Sequence, residues 1–184
     1  GWRDLFLNSH EECVSSKEKF AENFTVTERV SCGSEPVRLI QECDGRYIVV
    51  NPPFTDINTT ELDSFYSLPF TRLPHPKYGK KGGVPAYDMI RHSVNSHRGC
   101  FGGCSFCAIS AHQGKSVVSR SEDSVLREVE QVAAMPDFKG YVSDIGGPSA
   151  NMYMMKGADQ EICGMCSRTS CIYPAICPNL NYNH

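Results

Sequence analysis

The chain has 184 residues, of which 40% are hydrophobic and 21% charged, and a formal net charge of −3. That length supports one ordinary core, or one core with a small appended module. The charge balance and a pI near 6.1 leave no basic footprint for nucleic acid or an anionic membrane, and no apolar run reaches the ~18 residues of a membrane span. The start, Gly1-Trp2-Arg3-Asp4, lacks the apolar stretch of a signal peptide and an initiator Met, so the chain reads as a piece of a longer protein or a processed form. Ser15 to Phe24 carries the pattern of a short polar helix. Glu35 to Asn51 predicts a β-hairpin: Val37, Leu39 and Gln41 alternate with polar neighbours, Asp44-Gly45 is a turn pair, and Tyr47-Ile48-Val49-Val50 resumes the apolar run before Pro52-Pro53.

From Thr59 to Pro85 the chain is rich in Pro, Gly, Tyr and Lys, the composition of a linker or of a clasp lying on another surface. Thr60-Glu61-Leu62-Asp63 opens one helical turn. Leu68 to Pro76 is held mostly extended, because proline disfavours helix at itself and at the residue before it. Lys77, Lys80 and Lys81 read as solvated charges.

A second organisation begins near Met89. Ile90 to Ser96 predicts a short strand leading into a cysteine-rich loop. Ser119-Arg120-Ser121-Glu122 fits an S-x-x-E capping box with Ser119 as its first residue. Val125, Leu126, Val129, Val132 and Ala133 then fall on one helical face, and Met135-Pro136 ends the helix. Gly140 to Ile145 predicts a strand, punctuated by Gly146-Gly147-Pro148. Strand, cysteine loop, helix, strand and glycine turn make a βαβ unit. The fold class is therefore α/β, with parallel strands and functional loops at their carboxyl ends.

Seven of the ten cysteines fall in two tight runs, Cys100 to Cys107 and Cys163 to Cys177, while Cys13, Cys32 and Cys43 are scattered. Disulfide scaffolds spread their cysteines to staple distant loops, and metal sites bunch them; the pattern favours a cytosolic metal-binding protein over a secreted disulfide fold. Cys100, Cys104 and Cys107 form C-x3-C-x2-C. Three thiolates leave one coordination position open, unlike the closed shell of a structural zinc or an ordinary cluster. Gly99, Gly102 and Gly103 allow close backbone approach, and Phe101 and Phe106 supply apolar cover. A zinc loop borrowing a fourth ligand from His97, His112 or the later cysteines is one alternative, and a redox Cys104/Cys107 pair is another.

Cys163, Cys166, Cys171 and Cys177 supply four thiolates within fifteen residues. Structural zinc and a second iron–sulfur cluster both fit, with a Cys163/Cys166 redox pair as a third reading. The Cys177-Pro178 ending is that of bacterial ferredoxin runs. His75, between two prolines, has no evident role. His112 is a candidate for the active edge, and Asp144 is either a ligand or a turn cap.

C-x3-C-x2-C with an aromatic before the third cysteine, placed after a first strand, resembles the signature of radical S-adenosylmethionine (SAM) enzymes. The stretches Leu68 to Arg72, His75-Pro76, Pro85-Ala86-Tyr87, His97 to Cys104, Ile109 to Gly114 and Gly146 to Tyr153 resemble the YgiQ family of radical SAM proteins, over roughly residues 35 to 184. The resemblance implies a 4Fe-4S cluster on Cys100, Cys104 and Cys107, with SAM chelating the fourth iron. It implies reductive cleavage of SAM to methionine and a 5′-deoxyadenosyl radical, which abstracts hydrogen from a substrate not established for the family. Gly146, Gly147 and Pro148 stand where the superfamily receives the SAM amino group, although Pro148 replaces the usual acidic residue. Phe106 would pack near the adenine, and Ser119 and Arg120 are minor candidates for SAM contact. No catalytic residue is assigned.

The expected organisation is an N-terminal segment with the hairpin (1–58), a Pro/Gly-rich linker or clasp (59–88), the start of a radical SAM βα barrel (89–160) and a Cys-rich metal-binding segment (161–184). The superfamily's partial barrel generally needs six βα units, so the isolated chain is expected to be inactive. Its expected partners are a reduced flavodoxin- or ferredoxin-type electron donor and the substrate, in the cytoplasm, with neither nucleic acid nor membrane. The reading from another class is a non-catalytic iron–sulfur or zinc module.

Overall fold

A computed structural model describes residues 1–33, 35–52, 57–147 and 150–182, without the side chains of Cys32 and Lys81. Numbered in chain order, the elements begin with β1 (Arg3–Phe6), α1 (His10–Ser15), α2 (Lys17–Cys32), β2 (Val37–Cys43) and β3 (Arg46–Val50). After them come α3 (Thr59–Tyr66), a 3-10 turn (Pro76–Lys81), α4 (Pro85–Ile90), β4 (Ser93–Asn95), β5 (His97–Arg98) and α5 (Ile109–Gln113). The chain closes with β6 (Val118–Ser119), α6 (Glu122–Ala133), β7 (Asp144–Gly146), β8 (Lys156–Gly157), α7 (Gln160–Gly164) and β9 (Leu180–Asn181). Two compact units result: Gly1–Asp56 with Cys100–Ser116 and Met155–Asn183, and Ile57–Gly99 with Val117–Met154.

In the first unit β1 runs parallel to β2, and β2 pairs antiparallel with β3. The hairpin forms where its sequence pattern places it. Asp44 and Gly45 take φ of 51° and 67°, the left-handed pair that matches the twist of two antiparallel strands. Val37, Leu39 and Ile40 are buried, whereas Tyr47, Ile48, Val49 and Val50 on the edge strand are all exposed. Helix begins earlier than the expected Ser15 and runs further. Ser9 and Glu12 form a reciprocal capping box that starts α1, and the Ser16 side chain, accepting from the Lys19 N–H, starts α2. Asn23, nearly buried on α2, exchanges hydrogen bonds of 2.9 Å with the Asn8 backbone, and Gln41 of β2 donates to the same carbonyl at 3.0 Å. Those bonds satisfy the backbone where β1 hands over to α1.

In the second unit β4 and β7 pair in parallel, in the register Ser93↔Asp144, Val94↔Ile145 and Asn95↔Gly146, with α6 between them in sequence. This is the expected βαβ connection. Its strands are shorter than the sequence suggests: β7 covers three residues, and Gly140 to Ser143 is not strand. The short pair β5–β6 is antiparallel, with His97 opposite Ser119. The architecture is mixed α/β built on sheets of three and two strands. One parallel pair is as much of the expected βα barrel as the described residues form.

Two expectations need correcting here. The cap of α6 is Ser121, whose hydroxyl accepts from the Ser124 N–H at 3.2 Å, and not Ser119. Ser119 is committed to β6, and its hydroxyl accepts from the Met154 N–H at 2.8 Å. The apolar face of α6 is also narrower than its spacing implies, since only Val132 and Ser124 are buried and Leu126 is half exposed. A buried polar centre takes the place of an aliphatic core. Arg120, 1% exposed, donates to the Asn95 carbonyl at 2.7 Å, to the Ser124 carbonyl at 2.7 Å and to Glu128, and stacks over the Tyr66 ring at 4.0 Å. Glu128 also pairs with Arg72, which donates to the Ser93 carbonyl at 2.6 Å. The residue 59–88 stretch is therefore tied onto β4 and α6 as a clasp. Its Leu62 is 2% exposed, and Asp63 accepts from the Ser121 N–H at 3.0 Å.

Candidate functional site

The three-cysteine loop leaves β5 in sequence and closes on itself when the Cys100 N–H bonds the Gly114 carbonyl at 3.0 Å. A turn from the Cys104 carbonyl to the Cys107 N–H, also 3.0 Å, forms its second half. The cysteine side chains are thiols rather than disulfides. Cys100 and Phe101 are buried, Cys107 is half-buried, and Cys104 is exposed. Phe106 is 91% exposed.

Each glycine of the pair has its own reason. A Cβ on Gly102 would stand 3.3 Å from Cys100 Sγ and 3.7 Å from Cys104 Sγ, so two sulfurs bracket this position, and the Gly102 N–H points to Cys100 Sγ at 3.4 Å. Gly103 has φ of 62°, and a Cβ there would strike the Thr169 carbonyl oxygen. Residues 169–172 lie on that face: Ser170 Oγ donates to the Gly102 carbonyl at 2.6 Å, and the Cys171 N–H to the Phe101 carbonyl at 3.0 Å.

The four-cysteine run begins on α7, whose amino end is capped by Asp159 accepting from the Glu161 and Ile162 N–H groups. It then turns on backbone bonds from Cys166 N–H to the Cys163 carbonyl, 3.1 Å, and from Cys177 N–H to the Cys171 carbonyl, 2.7 Å. Cys166 Sγ accepts from the Arg168 N–H at 3.5 Å, and Cys163 Sγ from the Asn179 amide at 3.3 Å. Burial pushes the Cys171 thiol up, and the charges of Cys177, Cys166 and Cys163 add to the shift. Among the described residues, no three His, Cys, Asp or Glu side chains converge closely enough to hold a metal ion as they stand.

The glycine turn belongs to the second unit. The Ser96 N–H bonds the Gly146 carbonyl at 2.6 Å, extending the β4–β7 ladder to its carboxyl end. Gly147 follows with the His97 imidazole against its α-carbon, so that any Cβ would strike the ring. His97 is 1% exposed and its Nδ1 stands 3.0 Å from Ser96 Oγ. Burial holds its pKa below the usual histidine value, opposed in part by the Ala150 backbone. Pro148 lies outside the described residues. The Asp144 carboxylate folds back over Gly146, 3.4 Å from where a Cβ would be.

A family model described as radical SAM N-terminal matches residues 2–93. The chain belongs to this family, as a YgiQ-type radical SAM protein. A UPF0313 protein of Bacteroides thetaiotaomicron is 59% identical over 182 residues, which is 98% of this chain and 29% of the relative. One of Porphyromonas gingivalis is 58% identical over 181 residues, 98% of this chain and 28% of the relative. The UPF0313 protein YgiQ of Escherichia coli is 50% identical over 147 residues, 79% of this chain and 20% of its own length. The chain thus spans less than a third of the relatives it matches. No solved structure matches it.

For a radical SAM family protein the donor set at Cys100, Cys104 and Cys107 fits a 4Fe-4S cluster. Three thiols on one short loop, two of them beside a glycine, are soft donors of the kind such a cluster takes, and they would leave one iron open. Arg120 is turned into the interior of its own unit and Ser119 into a backbone bond, so neither stands ready for a cofactor. His112 is exposed on α5. His75 caps the 3-10 turn, its Nδ1 accepting from the Lys77 N–H at 3.2 Å. The sequence reading missed the buried His97–Gly147 packing. Its only sequence signal was a histidine three residues before the first cysteine. It also missed a cleft of about 430 Å³ on the clasp, lined by Arg72, Pro74, His75, Tyr78, Tyr87 and Ile90.

Proposed function

We propose that this chain carries the cluster-binding part of a radical SAM enzyme. Cys100, Cys104 and Cys107 would hold a 4Fe-4S cluster, and the backbone of Gly146, Gly147 and Pro148 would receive the SAM amino group. Bound there, cluster and SAM supply one-electron chemistry, the reductive cleavage of SAM to methionine and a 5′-deoxyadenosyl radical that takes a hydrogen atom from substrate. The observation that carries this reading is the three-cysteine loop itself, with two sulfurs turned onto Gly102 in a chain of the radical SAM N-terminal family.

The roles of the chain's own residues follow from their placement. Burial of Cys100 and Phe101 keeps water from one side of the loop. Phe106, exposed, is available to cover the adenine. His97 packs on Gly147 and so helps to fix the glycine turn. The β4–α6–β7 connection would begin the partial barrel, continued by the part of the full-length protein beyond this chain. We place the reaction in the cytoplasm, fed by a reduced flavodoxin- or ferredoxin-type donor; no helix among the described residues is long and apolar enough to cross a membrane.

The test is anaerobic reconstitution of the full-length protein that carries this chain. A site on Cys100, Cys104 and Cys107 should take up about four iron and four sulfide, SAM should change the EPR spectrum of the reduced cluster, and 5′-deoxyadenosine should be released. A cluster indifferent to SAM would leave the rival reading, a non-catalytic iron–sulfur module. Zinc alone after anaerobic preparation would sink the enzyme reading.

A further inference from the structure

We propose that Cys163, Cys166, Cys171 and Cys177 hold a second metal centre, a tetrathiolate zinc or iron–sulfur site, and that filling it fixes the backbone of the three-cysteine loop. The first argument is what the segment lacks. Ile162, Met165, Tyr173 and Ile176 are 52%, 82%, 75% and 56% exposed, and its one strand pair, β8–β9, is two residues long. Among its described residues only Ser170 is buried, and small segments that bury so little are stabilised by a metal or by disulfides. The cysteines are not in disulfides. Four soft ligands at this spacing make a closed shell for either metal.

The second argument is what the segment has prepared. Bonds between the backbones of Cys163 and Cys166, and of Cys171 and Cys177, fold the run into two turns with one pair of cysteines on each. Cys166 Sγ and Cys163 Sγ each accept an N–H hydrogen bond, from Arg168 and Asn179, the kind of donor that stabilises thiolate charge at a metal. The Arg168 guanidinium spans the Cys171–Cys177 turn through the Ala175 carbonyl at 3.0 Å, bringing a positive charge to a site that would be net negative. Gly157 leaves the room that Cys163 Sγ occupies, since a Cβ there would strike the sulfur. Metal binding would draw the four sulfurs into one shell, because in small metal sites binding energy is folding energy.

The third argument concerns the first loop. Cys171 and its neighbour Ser170 hold the Phe101 and Gly102 carbonyls directly, and Gly103 is a glycine because Thr169 occupies the space of its side chain. Whatever orders Cys171 therefore orders the backbone between Cys100 and Cys104. This inference does not depend on SAM binding.

The experiment uses the full-length protein in two forms. One carries Cys100→Ala, Cys104→Ala and Cys107→Ala; the other adds Ala at the remaining four positions. After anaerobic reconstitution with iron and sulfide, or with zinc, elemental and sulfide analysis is compared between them. The triple variant should retain about four iron with sulfide, or about one zinc, and the sevenfold variant should lose that amount. Equal metal in both overturns the second centre. In protein with an intact first loop, Cys171→Ser with Cys177→Ser should accelerate amide hydrogen exchange at residue 171 and Gly102, whose N–H groups bond the Phe101 carbonyl and Cys100 Sγ, while Leu7 and Arg120 stay protected, which shows that both units still fold. Unchanged exchange in the loop overturns the coupling.

Discussion

Two regions of this protein solve the same problem, holding short irregular segments in place, by opposite means. Around α6 the segments are closed by their own side chains: Arg120 satisfies Asn95, Ser124 and Glu128, Glu128 reaches Arg72, and Leu62, Val94 and Val132 pack beneath. Around the cysteines the fastening falls mostly on backbone groups, among them the Phe101, Gly102, Cys163 and Cys171 carbonyls, and the larger apolar side chains face outward. A region that completes itself needs nothing bound in order to fold. A region of thiols tied largely to backbone groups has the shape of a holder, and its remaining stability is expected from what it holds.

The comparison breaks most readily at Glu128. Glu128→Gln leaves Arg72 and Arg120 facing a neutral amide, and removing one partner of a buried ion pair costs about 3–5 kcal/mol. Hydrogen exchange at Val94 and Val132 should rise accordingly while that at Cys171 and Phe101 does not change. Equal loosening of both regions would show that they do not hold themselves independently.

Gly103→Ala is the matching change in the cysteine unit. It forces a side chain onto the Thr169 carbonyl at a φ of 62°, and strain plus overpacking of this kind costs about 1–3 kcal/mol. The amides of Gly102 and Cys171 should lose protection, and the protein should reconstitute with less iron. Retention of both would mean that the segment 169–172 is not what positions the first loop.

Gly147→Ala should cost about 1–3 kcal/mol by overpacking against the His97 ring. Adding His97→Ala should recover part of that loss, because the clash is shared by the two residues. Strict additivity in thermal unfolding would show that they do not touch.

The smallest effect is that of pH. Burial lowers the His97 pKa, so the unfolded chain binds this proton more readily than the folded one. The contribution is present above the unfolded value of about 6.5 and is lost as pH falls through the lower folded value. Local protection at Ser96 and His97 should therefore weaken on mild acidification, and His97→Gln should remove that dependence. A pH response that survives the substitution would assign it to another group.

Where the sequence carries complete local information, the structure follows it. Asp44-Gly45 supplies both left-handed residues of the hairpin turn, so no long-range contact is needed to place β2 against β3. The capping boxes Ser9-x-x-Glu12 and Asn58-x-x-Glu61 are likewise local, and a helix starts at each. The cap of α6 was misplaced. Ser119 satisfies the S-x-x-E pattern and Ser121 only the general preference for serine at a cap, and the choice between them falls to β6 pairing with His97 and to the Met154 N–H, which are distant in sequence. The exposed β3 and the narrow buried face of α6 likewise depend on which neighbours arrive.

By itself the sequence determined the ligand inventory. Three thiols stand at one spacing and four at another, a residue type and count that suit soft metals. It also determined the hairpin and the βαβ order, because turn residues and hydrophobic periodicity are local quantities. Only the tertiary structure decided that the second cysteine run lies on the backbone of the first, that His97 packs on Gly147, and that Arg120 fastens Asn95, Ser124 and Glu128 together. Each of these is a contact between residues far apart along the chain. No spacing rule encodes such a contact, because it depends on which buried polar groups find partners when the segments come together.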